Sequence, residues 1–266
     1  MQTKKIVKLL FPSPQAVSRQ STKEGHVTSR TTVQRDIAAL GLKAYKRPKV
    51  PGLSETAVAA RVKLAKRLLR CPSAFFDNLI FSDEKWFDTN DAGVQWQYCE
   101  KGNQRSELLG RCQYQGGPKV FVWGAISVKW RILVVVKLPE TGGMNHRIYI
   151  DQCLSQLLKK DLTGMVLVQD GARAHWTPEV RAHLTAHNVD VLQGWVAGSC
   201  DMNTIEPVWG RVQRAVSERG PYGVEELTSF ITQEFERIPV SSIANHVLSF
   251  KKICKQVVEA GGKALL

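Results

Sequence analysis

Apolar residues follow one period before about residue 75 and another after it. In "VTSRTTVQRDIAALGLKAYKRPKVP", Val33, Ile37 and Leu40 fall at i, i+4 and i+7, which is one face of a helix. Thr28 or Ser29 is placed to cap it, and Gly41 stands where a helix commonly ends. Pro48 and Pro51 then favour an extended chain. "SETAVAARVKLAKRLLR" reads as a second helix, capped by Ser54. From Phe75 the apolar runs become short and β-branched. "NLIFSDEKWF", "KVFVWGAIS" and "RILVVVKL" read as strands, and "GVQWQYC" alternates like a half-exposed one. "NHRIYIDQCLSQLLKKD" carries apolar residues at helical spacing, namely Ile150, Cys153, Leu154, Leu157 and Leu158. "GMVLVQD" predicts a buried strand ending in Asp170, "TPEVRAHLTAHN" a helix with Pro178 in its first turn, and "VDVLQ" a short strand. Helices are expected over 203–219, 223–237 and 241–259. Strands first, then alternating helix and strand, then helices predict an α/β fold: a mixed sheet flanked by helices, preceded by a small all-α segment.

Charge divides the chain at nearly the same place. Residues 1–70 hold 16 Lys and Arg against 3 Asp and Glu, a balance of +13 that equals the formal net charge of the whole chain. A basic module joined to a neutral one suggests a polyanion-binding arm on a separate working domain, with a solvated basic tail as the plainer alternative. Arg30, Thr31, Gln34 and Arg35 lie on the polar face of the first helix, where they can reach phosphates and base edges in a major groove. Lys46, Arg47 and Lys49 suit the DNA backbone. Together with the basic residues between Lys63 and Arg70 they are compatible with a bipartite nuclear localisation signal, so a nuclear location is expected. No apolar run approaches the roughly 20 residues of a membrane span, and "MQTKKIVKLLFPSP" is too short in apolar residues for a secretory signal. The six cysteines are scattered without a CxxC pair, which argues against a disulfide framework or a zinc site.

Three carboxylates stand at informative positions. Asp83 is in or at the end of the first strand, Asp170 ends a later one, and Glu206 opens a helix. Oxygen ligands of this kind suit hard cations such as Mg²⁺ or Mn²⁺, and two such ions serve phosphoryl transfer. Taken singly, Asp170 also reads as a turn residue and Glu206 as a first-turn Glu favoured by the helix dipole. Glu84 points to the opposite strand face from Asp83, which makes it a poor substitute ligand. His175 reads as a DNA-positioning or a structural histidine. His183 and His187 share a helix face, but Leu184 stands where a metalloprotease needs Glu. Trp123, Trp195 and Trp209 read as core.

"FSDEKWF", "VWGAIS", "QDGARAH" and "DMNTIEPVW", in this order, resemble the motifs of Tc1/mariner transposases. Residues 28–70 are similar to the second helix-turn-helix of that family and its following linker. The resemblance covers roughly residues 28–240 and implies an RNase H-like catalytic core whose D, D, E/D triad would be Asp83, Asp170 and Glu206. The implied activity is metal-dependent cleavage and strand transfer of double-stranded DNA at transposon inverted repeats, with two Mg²⁺ (or Mn²⁺) and a homodimer on DNA. The implied organisation is a basic partial helix-turn-helix segment over 1–48, a basic linker and helix over 49–74, a catalytic domain over 75–240 with an inserted loop over 91–118, and a C-terminal helix over 241–266. Residues 1–27 are too short and irregular for the first helix-turn-helix of the family, which suggests a truncated copy or a late start. Arg173, Val196, Cys200 and Thr204 replace prolines that usually stiffen the loops around the second and third carboxylates. A catalytically impaired, transposase-derived DNA-binding protein is the alternative reading. A nuclease for RNA–DNA hybrids is a third, which the DNA-reading helix opposes.

Overall fold

The computed structural model describes residues 29–39, 52–88, 117 and 119–265. Leu40, Gly41, Lys46, Arg47, Lys49, the expected "GVQWQYC" strand and most of the expected 91–118 loop lie outside them. The chain forms two compact units, Met1–Lys49 and Val50–Leu266. In the first, the described element is helix α1 (Arg30–Ala39), where the Ser29 hydroxyl accepts the Thr32 N–H at 3.1 Å. Val33 is buried, while Thr31, Gln34 and Arg35 are exposed. The side chains of Arg30 and Ile37 lie outside the description.

The second unit begins with α2 (Glu55–Leu68), whose Ser54 cap accepts the Ala57 N–H at 3.2 Å. A short α3 (Ser73–Asp77) leads into strand β1 (Leu79–Asp88), then β2 (Lys119–Ile126) and β3 (Arg131–Val135). A helical run follows as α4 (His146–Ile148), a π-helical stretch Tyr149–Leu154 and α5 (Ser155–Leu157). Next come β4 (Val166–Val168), α6 (Pro178–Ala186) and β5 (Asp190–Val191). The chain closes with α7 (Glu206–Arg219), α8 (Gly223–Glu236), α9 (Val240–Leu248) and α10 (Phe250–Glu259). The strands order as β3-β2-β1-β4-β5, with β1–β2 and β2–β3 antiparallel and β1–β4 and β4–β5 parallel. The pattern therefore predicts the mixed, helix-flanked sheet correctly.

Strand alternation splits the sheet into two faces. Phe81, Phe87, Val120, Val122 and Ile126 join a core with α2 and α7 to α10, while Ile80, Trp123, Ala125 and Leu167 join one with Tyr149, Leu154, Leu157, Val180 and Leu184. By the same alternation Asp83 belongs to the first face and Glu84 to the second. Trp123 and Trp209 are fully buried core residues, as expected; Trp195 is half-buried.

Three details differ from the sequence pattern. The expected 241–259 helix is two helices, because the Ser249 hydroxyl donates back to the His246 carbonyl at 2.6 Å where they meet. The strand before Asp170 ends at Val168, since Gln169 turns its amide to side-chain and turn partners. Arg61, on the basic helix α2 that the sequence marks as a solvated or DNA-facing segment, is fully buried against Asp201.

Gly124 shows why one motif position needs glycine. A Cβ there would lie 2.5 Å from the Trp209 ring, on the face where α7 crosses β2. Gly124→Ala should therefore destabilise the protein by about 1–3 kcal/mol through overpacking, measured by denaturant unfolding.

Candidate active site

The parallel register of β1 and β4 pairs Leu79 with Val166 and Phe81 with Val168. Asp83 lies two residues past the last of these pairs, within β1, and Asp170 two residues past the end of β4. Both carboxylates reach one cleft from adjacent strands.

Asp170 is held from several sides. Its Oδ1 accepts the Ala172 N–H at 2.8 Å, and its carbonyl accepts the Trp176 indole N–H at 2.6 Å. Nδ1 of His175 lies 2.8 Å from the same Oδ1. The short contact is charge-assisted, between the imidazole and the Asp170 carboxylate. The other ring nitrogen, Nε2, is 3.0 Å from Oε1 of Glu84. The π-helical stretch supports this arrangement. The Tyr149 hydroxyl donates to Gln169 Oε1 at 2.8 Å, Gln169 Nε2 donates to the His175 carbonyl at 3.1 Å, and the Tyr149 and His175 rings sit 4.3 Å apart.

Glu206 is brought in by Asn203. The Asn203 amide donates to the Ser82 carbonyl of β1 at 3.1 Å, its Oδ1 accepts the Ile205 N–H at 3.3 Å, and its own carbonyl accepts the Glu206 N–H at 3.2 Å. The residue that starts α7 is thereby tied to the strand residue next to Asp83. Within the loop before it, where the family resemblance leads one to expect prolines, residues 199–203 are closed by backbone hydrogen bonds. A 3₁₀ turn over Cys200–Met202 is closed by Met202 N–H to Ser199 O at 3.0 Å and Asn203 N–H to Cys200 O at 2.9 Å. Arg173 likewise opens a 3₁₀ turn, Arg173–His175.

Asp83, Asp170 and Glu206 line one cleft of about 240 Å³, with Trp195, Ser199 and Asn203 among the other walls. Burial, together with the negative charges of Glu206, Glu84 and Asp170, pushes the Asp83 carboxyl up to about 8. Burial also raises Glu206, against the opposing pull of Lys85. For Asp170 burial acts upward, yet the His175 contact and the Ala172 N–H hold it below the usual carboxylate range. His175 is raised to about 9: burial disfavours its charge, but Asp170 and Glu84 outweigh burial. A pocket that makes carboxylates hard to ionise together gains most from a divalent cation, and an all-oxygen set of this kind fits Mg²⁺ or Mn²⁺. Glu84, Asp170 and His175 also bring ligand atoms within 4.8 Å of one another, but there the imidazole itself fills the space between two carboxylates.

Several of these roles escape a linear reading. Glu84 does face away from Asp83, but it contacts His175, a pairing that only the 3₁₀ turn after β4 creates. Asn203 looks like an ordinary loop residue. Lys85 shares the strand face of Asp83 two residues on, which period-two spacing could have flagged. His183 and His187 pack with rings 4.5 Å apart and are not among the cleft walls.

The chain is similar to known proteins along most of its length. Residues 78–228 match the family described as DDE superfamily endonuclease, and residues 11–70 a helix-turn-helix family described as Transposase, which starts upstream of the residue-28 boundary read from sequence. The Tc1 transposase of Caenorhabditis elegans is 27% identical over 242 residues, covering 90% of this chain and 88% of the relative. The Tcb1 transposase of Caenorhabditis briggsae is 26% identical, covering 89% and 87%. The fold matches a pre-cleavage Mos1 transpososome with a TM-score of 0.76 at 16% identity, covering 100% of this chain and 80% of the other. It also matches the Mos1 strand transfer complex at 0.72 and 18%, covering 100% and 79%. The first of those families spans more than half of the chain, over the strands and helix that carry the three carboxylates, and the chain therefore belongs to the DDE superfamily endonucleases, as a transposase of the Tc1/mariner type with an RNase H-like core.

Proposed function

We propose that this transposase cleaves double-stranded DNA at transposon inverted repeats and joins the ends to target DNA, with Asp83, Asp170 and Glu206 holding two Mg²⁺ or Mn²⁺ ions. The observation that carries this reading is the meeting of three carboxylates from two strands and a helix in one cleft, where burial and mutual repulsion raise Asp83. Similar solved structures are Mos1 paired-end complexes with Mn and with Mg, which supports the choice of cation. Bound divalent cations would supply activation of a water or 3′-hydroxyl and charge stabilisation at the leaving oxygen. The chain contributes orientation: Asn203 sets Glu206 against β1, and Ala172 and Trp176 fix Asp170. Lys85, beside Glu206, is placed to meet a phosphate.

DNA recognition is assigned to the basic first segment, through Arg30, Thr31, Gln34 and Arg35 on α1 and the backbone contacts of Lys46, Arg47 and Lys49. Exposure of Thr31, Gln34 and Arg35 on the face away from Val33 supports it. Pairing of two transposon ends implies a homodimer on DNA, and access to chromosomal DNA implies the nucleus. The test is nicking of a labelled inverted repeat with Mg²⁺ or Mn²⁺. Asp170→Ala should lose about 10³-fold or more in rate while still binding the DNA. Equal rates would overturn the site assignment. An impaired derivative that only binds DNA is disfavoured by the shared cleft and the intact carboxylates.

A further inference from the structure

We propose that Glu84 and His175 form a positioning pair that fixes the orientation of the Asp170 carboxylate for metal binding. This rests on the reading of Asp170 as a ligand. Oδ1 already meets the Ala172 N–H and His175 Nδ1, both at 2.8 Å. His175 is 2% exposed and its ring is held on two further sides, by Glu84 through Nε2 at 3.0 Å and by the tilted Tyr149 ring at 4.3 Å, while Gln169 anchors its backbone carbonyl at 3.1 Å. Glu84 reaches it from the sheet face opposite Asp83, so one strand supplies a ligand on one side and its neighbour's support on the other. The ring cannot turn away without breaking one of these contacts, and the carboxylate cannot rotate without leaving the ring. Supporting groups of this kind typically govern metal affinity by about 10–100-fold.

Mn²⁺ binding to the full chain without DNA, followed by electron paramagnetic resonance, tests the pair independently of activity. His175→Ala should weaken Mn²⁺ binding by about 10–100-fold, and Glu84→Gln by less than about tenfold. His175→Asn, whose amide can still donate toward Oδ1, should recover part of the loss, a rescue that a purely structural role would not give. Melting temperatures identify any variant that fails to fold. If His175→Ala does not fold, the other two variants carry the test.

Asp83→Asn and Asp170→Ala separate the two layers of the argument. Loss of Mn²⁺ in both of these, with wild-type affinity in His175→Ala, Glu84→Gln and His175→Asn, overturns the pair and leaves the site standing. Unchanged affinity in Asp83→Asn and Asp170→Ala overturns the site reading itself. Loss in the His175 and Glu84 variants with unchanged affinity in Asp83→Asn and Glu206→Gln overturns the pair in another way, by showing that the ion sits among Glu84, Asp170 and His175.

Discussion

Asp83→Asn is expected to abolish metal-dependent nicking, by about 10³-fold or more, and at the same time to raise the melting temperature of the metal-free protein. The two effects share a cause. Asp83 lies in a half-buried position beside Glu206, Glu84 and Asp170, and its carboxyl is pushed from the ordinary 3.8 up to about 8. Between those values the folded chain holds a proton that the unfolded chain has released. Stability therefore falls as pH rises through this window, and the loss is complete above about 8. His175, raised from 6.5 to about 9, adds a contribution that is full below 6.5 and fades as pH rises toward 9. Both slopes run the same way, so the difference between wild type and Asp83→Asn isolates the carboxylate. In EDTA the variant should be more stable by about 1–3 kcal/mol at pH 8, roughly 3–10 °C for a unit of this size, with the gap closing toward pH 5. Adding Mg²⁺ should reverse the order, because ligand binding stabilises the folded wild type. Differential scanning fluorimetry across pH 5–8, with EDTA or MgCl₂, measures all of this. Equal melting curves in EDTA at pH 8 would contradict the described burial of Asp83.

The elements that position this site were legible to different degrees, for physical reasons. The strand alternation in "FSDEKWF" places Asp83 and Glu84 on opposite faces, and the buried run "MVLV" ends beside Asp170; both signals are local. The meeting of Asp83 and Asp170 in one cleft is not local, since it depends on which strands pair. The spacing of Ile150, Cys153, Leu154, Leu157 and Leu158 predicts helix, and helix is there, but apolar spacing does not distinguish a π-helical stretch from an α-helix. That stretch is what sets Tyr149 against Gln169 and His175. The break at Ser249 likewise turns on one side-chain hydrogen bond inside a continuous amphipathic pattern. The backbone hydrogen bonds of the turn over Cys200–Met202 and the Asn203 contacts to Ser82 and Ile205 could not be read from composition.

Arg61 is the largest departure from a charge-pattern reading, and it carries the second large prediction. Among the cations of α2 it is the one with no exposure, and its guanidinium grips both oxygens of Asp201 at 2.6 Å. Burial pushes Asp201 up, yet Arg61 and the Leu265 N–H, at 2.8 Å, hold it below the usual carboxylate range. The pair thus joins α2, the end of the chain and the 3₁₀ turn that leads to Asn203 and Glu206. Arg61→Ala should cost about 3–5 kcal/mol, because it leaves a partly buried carboxylate without its cation and opens a cavity where the side chain packed. Asp201→Ala should cost about as much, by stranding the guanidinium. The double variant Arg61→Leu/Asp201→Asn should lose less than the sum of the two, since neither charge is left alone. A group held below its ordinary pKa contributes its stability above that value and loses it as pH falls. The gap between wild type and Arg61→Ala should therefore narrow below about pH 4, as Asp201 is protonated from its ordinary value of 3.8 downward. Urea unfolding at pH 7 and pH 3.5 checks both statements. A cost below about 1 kcal/mol at pH 7 would show that the pair is no more than a surface contact. Nicking should fall further than the folded fraction alone accounts for, because the turn released by the loss of Arg61 is the one that sets Glu206 against β1.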